Sequence, residues 1–389
     1  MPRTEKGRKT CYPARVNEVI SRKIELGGVH PYRAYAALRA KARNRSSFVL
    51  TTKQGGATHT TVGFLAKMEA AFPAPTNMGE ALHAAVGELP PKDADEALVD
   101  ACFRDVIVIS AFDMVMPLFA LNAWPSQLFV GREIRELASV TFEHETGAIS
   151  ITATNPNVVE RCVRVMSEAP EIAPLPAISA QAPEYFAHAP AESVFLKQLA
   201  RAEKRLSFGE LKDLRLARKI MMQPFDADPF NVFRALAEND EYTHSFFVDL
   251  PLSPSFGPFA VAAAGKHRAV VNAADGPAAI SKSLSDIAHV EQTAGAPAKE
   301  ALTALREIEA DPRGMRGGVL ARLRPGGAVE LYRADVAVVL DEEQFQFVGS
   351  SSVHTGRDAE AHTRAVEDDV RAELIAIARA QALAAAASG

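Results

Sequence analysis

The sequence predicts an α+β protein, a layered antiparallel sheet sandwich with outer helices, and three observations predict it. Two glycine-bounded turns, Glu145-Thr146-Gly147 and Pro325-Gly326-Gly327, each lie between β-branched runs and read as hairpins. Stretches with apolar residues every three or four positions alternate with those runs, as amphipathic helices require. The 389 residues, 48% hydrophobic and 23% charged, suffice for one large core or two ordinary domains.

Taken in order, Val16 to Leu26 and Pro31 to Lys41 have helical spacing, and Ser47 to Thr52 (SFVLTT) reads as a buried strand. Phe103 to Phe119, rich in Val, Ile and Met, suits a central strand. Leu137 to His144 and Ala148 to Ala153 form a hairpin whose Gly147 supplies the positive φ. Asn155 caps a helix with Pro156 at its first position and Val158, Val159, Cys162, Val163 and Met166 as its apolar stripe. Ala169 to Ala191 is rich in Pro and Ala and reads as an extended linker. Glu192 to Leu206 is helical, and a strand lies within Phe208 to Met222. Asp228 to Leu236 and Tyr242 to Leu250 follow as helix and strand. Phe259 to Ala264 and Ala269 to Asn272 read as a hairpin turned at Gly265-Lys266. Lys299 to Glu309 is a helix ended by Arg313-Gly314. Met315 to Arg324 is expected to pair with Ala328 to Leu340, and Phe345 to Val353 is a further strand ending in small residues. A closing helix carries Val366, Val370, Leu374, Ile377 and Ala380 on one stripe. The expected division is a tail and first helix (1–30), an N-terminal half (31–168), the linker (169–191) and a C-terminal half (192–389), both halves surrounding one cleft.

A formal charge of -5 gives no general attraction to nucleic acid or anionic lipid, and the basic cluster from Arg3 to Lys9 is a short terminal tail. No apolar run of about 18 residues and no charged-then-apolar leader pattern is present, so a cytoplasmic location is expected. Cys11, Cys102 and Cys162 lack CxxC spacing, which fits a reducing compartment, with Cys102 and Cys162 as core residues.

From His289 to Val370 the chain reads HVEQTAGAPAKEALTALREIEADPRGMRGGVLARL, then GGAVELYRADVAVVL, then EEQFQFVGSSSVHTGRDAEAHTRAVEDDV. This order of loop, helix, hairpin, strand and closing helix resembles the C-terminal half of the chorismate-utilising enzymes, which include the anthranilate synthase large subunit, aminodeoxychorismate synthase, isochorismate synthase and salicylate synthase. The resemblance covers most of Pro31 to Leu383, with a gap from Pro251 to Ala288, and implies an anthranilate synthase component I-like fold. It also assigns positions. The family's catalytic lysine or glutamine, in a Gly-Glu-Leu motif, corresponds to Asp213, whose neighbour Lys212 is expected on the opposite face. The Ser-Gly-x-Pro-Lys lysine corresponds to Lys299, and the tyrosine after Arg-Gly to Arg316. The arginine that meets a substrate carboxylate corresponds to Asp335, with Arg333 two residues earlier on the same face. The Gly-Ala-Gly strand end, whose N–H groups meet a carboxylate, corresponds to Gly349, Ser350, Ser351 and Ser352. The helix carrying one magnesium ligand has no counterpart, and where the family has Glu-Thr-x-x-x-Lys or a close variant, whose glutamate is the second ligand, the matching positions are Ala365 and Asp369. Thr51 replaces the glutamate of the tryptophan-feedback Leu-Leu-Glu-Ser.

The residues therefore point to no metal cofactor, since the family's Mg2+ ligands are missing. They nominate Asp213 and His354 for proton transfer, and Arg333, Gly349, Ser350, Ser351, Ser352, Lys299, Arg316 and Asp335 for substrate binding. Each has a plainer reading: Asp213 as a strand-end hydrogen-bonding group, Lys299 as a surface residue opening a helix, Arg333 as the ion-pair partner of Asp335. His289, His354 and His362 lack zinc-site spacing, the serines lack a GxSxG context, and no P-loop or dinucleotide fingerprint is present. The expected function is a metal-independent enzyme of secondary metabolism, a lyase, isomerase or condensing enzyme, moving a proton on a small carboxylate-bearing substrate. The alternatives are a pseudoenzyme that scaffolds or regulates a biosynthetic partner protein, and retained Mg-dependent anthranilate or isochorismate synthase activity. A second copy of the chain is a further expected partner; nucleic acid and membrane are not. A deep pocket lined by Asp213, Arg333 and Ser351 favours catalysis, and a cleft filled by Phe and Val favours scaffolding.

Overall fold

The computed structural model describes residues 20–25, 28–42, 47–68, 79–80, 82–83, 106–110, 132–153, 156–171, 187–222, 229–253, 257–309, 313, 315–324, 327–341, 344–354 and 360–372. Alternation builds its centre. Phe48, Leu50, Phe246 and Val248 point to one side of the strands Ser47–Gln54 (β2) and His244–Ser253 (β9), while Val49 and Phe247 point to the other. Each side therefore grows its own apolar core.

Among the described residues, β2 pairs with Ala57–Met68 (β3), which pairs with Arg132–Glu143 (β5). β5 pairs with Val106–Ser110 (β4) and with Ala148–Ala153 (β6) through the expected hairpin, where Gly147 has φ 66°. On its other side β2 pairs with β9, which pairs with Gly257–Gly265 (β10), then Val336–Asp341 (β15), Gln344–Ser352 (β16) and Asp213–Met222 (β8). Val319–Leu323 (β13) joins β4 to Ala328–Arg333 (β14), which holds the edge strand Arg268–Asn272 (β11). Ala187–Ala189 (β7) and Gly295–Ala296 (β12) flank β8.

One core packs under the helices Glu192–Ser207 (α3), Pro277–Ala288 (α5) and Ala298–Ile308 (α7); the other under Pro31–Lys41 (α1), Pro156–Ser167 (α2) and Pro229–Glu238 (α4). A short helix, Val290–Thr293 (α6), precedes β12. The closing helix (α8) runs through residues 360–372 and presses Val366 into the first core and Val370 into the second. In α2, Val159, Cys162 and Met166 are buried, as their spacing requires, while Val158 and Val163 are half-buried.

Four expectations are corrected. Residues 20–25 form a strand (β1) paired with β6, because Ile20 and Ile24 fit a period of two as well as one of four and the exposed edge of β6 supplies a partner. β10 and β11 do not pair with each other: β10 takes β9 and β15, and β11 takes β14. Ala328 to Leu340 is broken at Ala334-Asp335, where the chain leaves β14's neighbours and joins β10 as β15. Its hairpin partner starts at Val319 rather than Met315, since residues 315–317 form a turn. Cys11, Cys102, Asn155, Gly314, Pro325, Gly326, Leu374, Ile377, Ala380, the Arg3 to Lys9 cluster, residues 16–19, most of the linker and the parts of Phe103 to Phe119 flanking β4 lie outside the described residues.

Candidate functional site

The β8–β16 pair carries most of the nominated residues. Its register sets Ser350 opposite Ala217 and Ser352 opposite Arg215. The Val353 amide donates to Leu214 O at 2.8 Å, so the pairing continues past the strand ends and brings His354 beside Asp213 at the rim. His354 is exposed and Asp213 half-buried. The two residues nominated for proton transfer are thus neighbours across the sheet, while Lys212 stands exposed one residue outside β8.

Among the described residues both outer edges of this pair lack a strand partner over part of their length, and both are closed there by a carboxylate–arginine pair. On the β8 side, Ala217 N–H donates to Glu309 Oε1 at 2.9 Å and Arg215 O accepts from Arg313 Nη2 at 2.6 Å. Glu309 and Arg313 are bound to each other twice, at 2.7 and 2.9 Å, and Arg313 also donates to Thr293 O. On the β16 side, pairing with β15 stops at Gln346. Beyond it, Ser350 N–H donates to Asp369 Oδ2 at 2.8 Å, and Val348 O accepts from Arg316 Nη1 at 2.5 Å, which also binds Asp369 Oδ2 at 2.6 Å. Each ion pair does what a missing strand would do: the acid takes an amide, and the arginine serves the carbonyl two residues earlier.

The expected carboxylate cradle at Gly349 to Ser352 therefore holds a carboxylate, supplied by the chain's own α8. A Cβ at Gly349 would lie 2.5 Å from Val366 O, so the glycine is what lets α8 seat this closely. Ser351 turns to the opposite face, where its hydroxyl meets the His362 imidazole at 3.2 Å and Phe195 stacks on that ring. Ser352 Oγ accepts from Arg215 at 3.4 Å. Lys299 is exposed at the start of α7, beside a shallow surface cleft of about 150 Å3 shared with Arg205, Glu210 and Thr303. A second hollow, of only about 10 Å3, lies against β8 and is lined by Pro190, Gln198, Arg218 and Glu309.

Arg333 and Asp335 stand apart from this arrangement, where β14 turns into β15. Arg333 is 3% exposed, and its Nε and Nη1 are buried without a hydrogen-bond partner. Asp335 Oδ1 lies 3.3 Å from Nε, in ion-pair contact but outside hydrogen-bond geometry, while Asp335 Oδ2 accepts the Lys266 amide at 2.7 Å. Burial lowers the guanidinium pKa, Asp335 opposes that shift, and nearby Arg316 adds to it. The Arg333 carbonyl accepts from His244 Nε2 at 2.8 Å, and burial holds the His244 ring pKa down at about 4.

Sequence reasoning missed Glu309, Asp369, His362 and His244 as partners. Only the i, i+4 spacing of Glu309 and Arg313 could have announced one of them.

Magnesium needs several oxygen ligands with carboxylate charge free to meet it. The position of the second ligand is Ala365, and the carboxylate one turn on, Asp369, already holds a guanidinium and an amide. The described residues at the family's ligand positions do not fit the ion. Among the described residues no three of His, Cys, Asp and Glu converge as a metal cage. Among them, too, no helix is long and apolar enough to cross a membrane.

No protein-family model matches the chain, and no curated protein matches it. Solved structures do. The menaquinone-specific isochorismate synthase of Escherichia coli superposes with a TM-score of 0.58 at 13% identity, covering 92% of this chain and 94% of the other. The fold is that of the chorismate-utilising enzymes. A putative 2,3-dihydroxybenzoate-specific isochorismate synthase from Bacillus anthracis (TM-score 0.51, 13% identity, 88% of this chain and 99% of the other) shares it. So does anthranilate synthase component I from Streptococcus pneumoniae (TM-score 0.51, 13% identity, 90% and 99%). Those neighbours are enzymes. At such identity the likeness is one of fold, and the chorismate-utilising frame here carries a different set of side chains.

Proposed function

We propose that this chain is a metal-independent member of the chorismate-utilising fold, acting in secondary metabolism on a small carboxylate-bearing molecule, with proton transfer assigned to Asp213 and His354. The observation that carries this reading is the Arg316–Asp369 clamp on β16. It fills the carboxylate cradle from within and engages the acid nearest the cation position. Chemistry that needs a divalent ion and a substrate carboxylate at that cradle has no room while the clamp is closed. The backbone register that carries His354 across from Asp213 supports the proton-transfer roles, since an acid and an imidazole on adjacent strands can both reach one bound ligand.

A second reading, a pseudoenzyme bound to a biosynthetic partner, is favoured by the opposite face of the same strands, where Phe195, Val353 and Val366 pack beside the Ser351–His362 contact. Purified full-length protein incubated with chorismate and with a panel of cyclic carboxylates, with and without Mg2+, separates the readings by mass spectrometry. Magnesium-independent conversion of a carboxylate, lowered about 100-fold or more in Asp213→Asn, is the expected result. Conversion of nothing in the panel selects the pseudoenzyme, and magnesium-dependent loss of chorismate overturns both.

A further inference from the structure

Strand β11 stands at one end of the sheet, and among the described residues no strand pairs with its outer side. Two hydrogen bonds fix which of its backbone groups face outward. Arg333 N–H donates to His267 O at 3.0 Å and Ala273 N–H to Gly327 O at 2.8 Å, both in the register that sets Val270 opposite Glu330. Hydrogen-bonded pairs recur at every second residue of an antiparallel ladder, so the odd-numbered residues from His267 to Ala273 face β14. Arg268, Val270 and Asn272 therefore point their N–H and C=O groups away from the sheet. The side chains alternate too: Val271 is buried in the first core, while Val270 is 68% exposed, more than any other large hydrophobic side chain among the described residues. A β-branched edge of this kind is a template for another strand unless proline or like charge blunts it. RAVVN contains no proline, and its flanking charges differ in sign, with Lys266 and Arg268 at its start and Asp275 just past its end.

We propose that β11 is an interface between two copies of this chain, joined edge to edge about a twofold axis at Val270. Antiparallel pairing about that residue sets Arg268 of each copy opposite Asn272 of the other, so every outward amide on the strand meets an outward carbonyl. The two Val270 side chains become cross-strand neighbours on one face of the joined sheet and exclude water. Charge selects this partner. The basic start of each strand lies along the acidic end of the other, whereas a parallel copy would set like charges together. Lys266, 52% exposed and 3.8 Å from Glu241, keeps room to meet a second acid, and Asp275 is exposed. Pairing uses up the edge on both copies, so assembly closes at two. The interface lies away from β8, at the opposite end of the strand order, and goes beyond the proton-transfer reading without depending on it.

Sedimentation velocity of the full-length chain from about 1 to about 200 μM tests this, with hydrogen exchange of the β11 amides followed at both ends of the range. A monomer–dimer equilibrium is expected, with the Arg268, Val270 and Asn272 amides exchanging about tenfold or more slowly in the dimer. Val270→Pro removes an outward amide that β14 does not use and should hold the chain as a monomer throughout. Val270→Lys sets two like charges face to face and should do the same, which keeps the question answerable if the proline variant fails to fold. Lys266→Glu and Asp275→Lys should each weaken the dimer about tenfold, and the two together should restore it, as antiparallel self-pairing requires. A chain that stays monomeric at every concentration, a dimer that survives both Val270 variants, or growth beyond the dimer would overturn the proposal. So would β11 amides protected equally at both concentrations, since another stretch of the same chain would then cover the edge.

Discussion

The two edges of the β8–β16 pair are closed by the same device with different consequences. Glu309 and Arg313 are 3% and 4% exposed, sit one turn apart in sequence and between them hold Ala217 N–H, Arg215 O and Thr293 O. Asp369 and Arg316 are 28% and 19% exposed and come from segments 53 residues apart. A buried, doubly bonded pair whose atoms also serve two strands is costly to break. A half-exposed pair from two separate segments has water available to both partners and can open. The inner edge is thus built to stay and the rim edge to yield.

Breaking the inner pair gives the largest expected effect. Glu309→Ala strands the Arg313 guanidinium in the interior and should cost about 3–5 kcal/mol, read from urea unfolding. A loss under about 1 kcal/mol would erase the contrast between the edges. Next comes acid. His244, a neutral donor to the Arg333 carbonyl, has a folded pKa of about 4 against an ordinary value of 6.5. The unfolded chain therefore binds the extra proton between those values. The stability tied to a neutral His244 is complete above pH 6.5 and is lost as pH falls through 4, about 3 kcal/mol in all. Urea midpoints that stay flat from pH 6.5 to 4 in a variant lacking His244, beside a falling wild type, would assign the slope to this ring. The smallest effect belongs to the rim. Asp369→Asn keeps an acceptor for the Ser350 amide but drops the charge facing Arg316, and should cost about 1 kcal/mol or less. A loss as large as that of Glu309→Ala would mean the rim edge is as fixed as the inner one.

Local pattern was legible where one segment decides its own shape. The hairpin at Gly147, the stripe of α2 and the strand carrying Gly349 to Ser352 follow from spacing and turn chemistry alone. The resemblance placed Asp213 and Gly349 each on a strand; that the two strands pair is a finding of the structure. What escaped depends on a partner far away in the chain. Ile20 to Glu25 is a strand because β6 offers an edge 128 residues on, and β10 and β11 part company because β15 and β14 claim them. The site escaped for the same reason: nothing near Ser350 in sequence says that Asp369 will take its amide, and nothing near Arg333 says that its neighbours will leave two nitrogens idle.

Strand β8 contributes Leu214 and Leu216 to one apolar core and Ile220 to the other. α8 does likewise with Val366 and Val370. These elements act as rivets through both layers, so neither can melt while its counterpart remains intact. Heat should meet a single cooperative body rather than two domains in turn, and any motion that frees the rim must be small enough to leave the rivets in place.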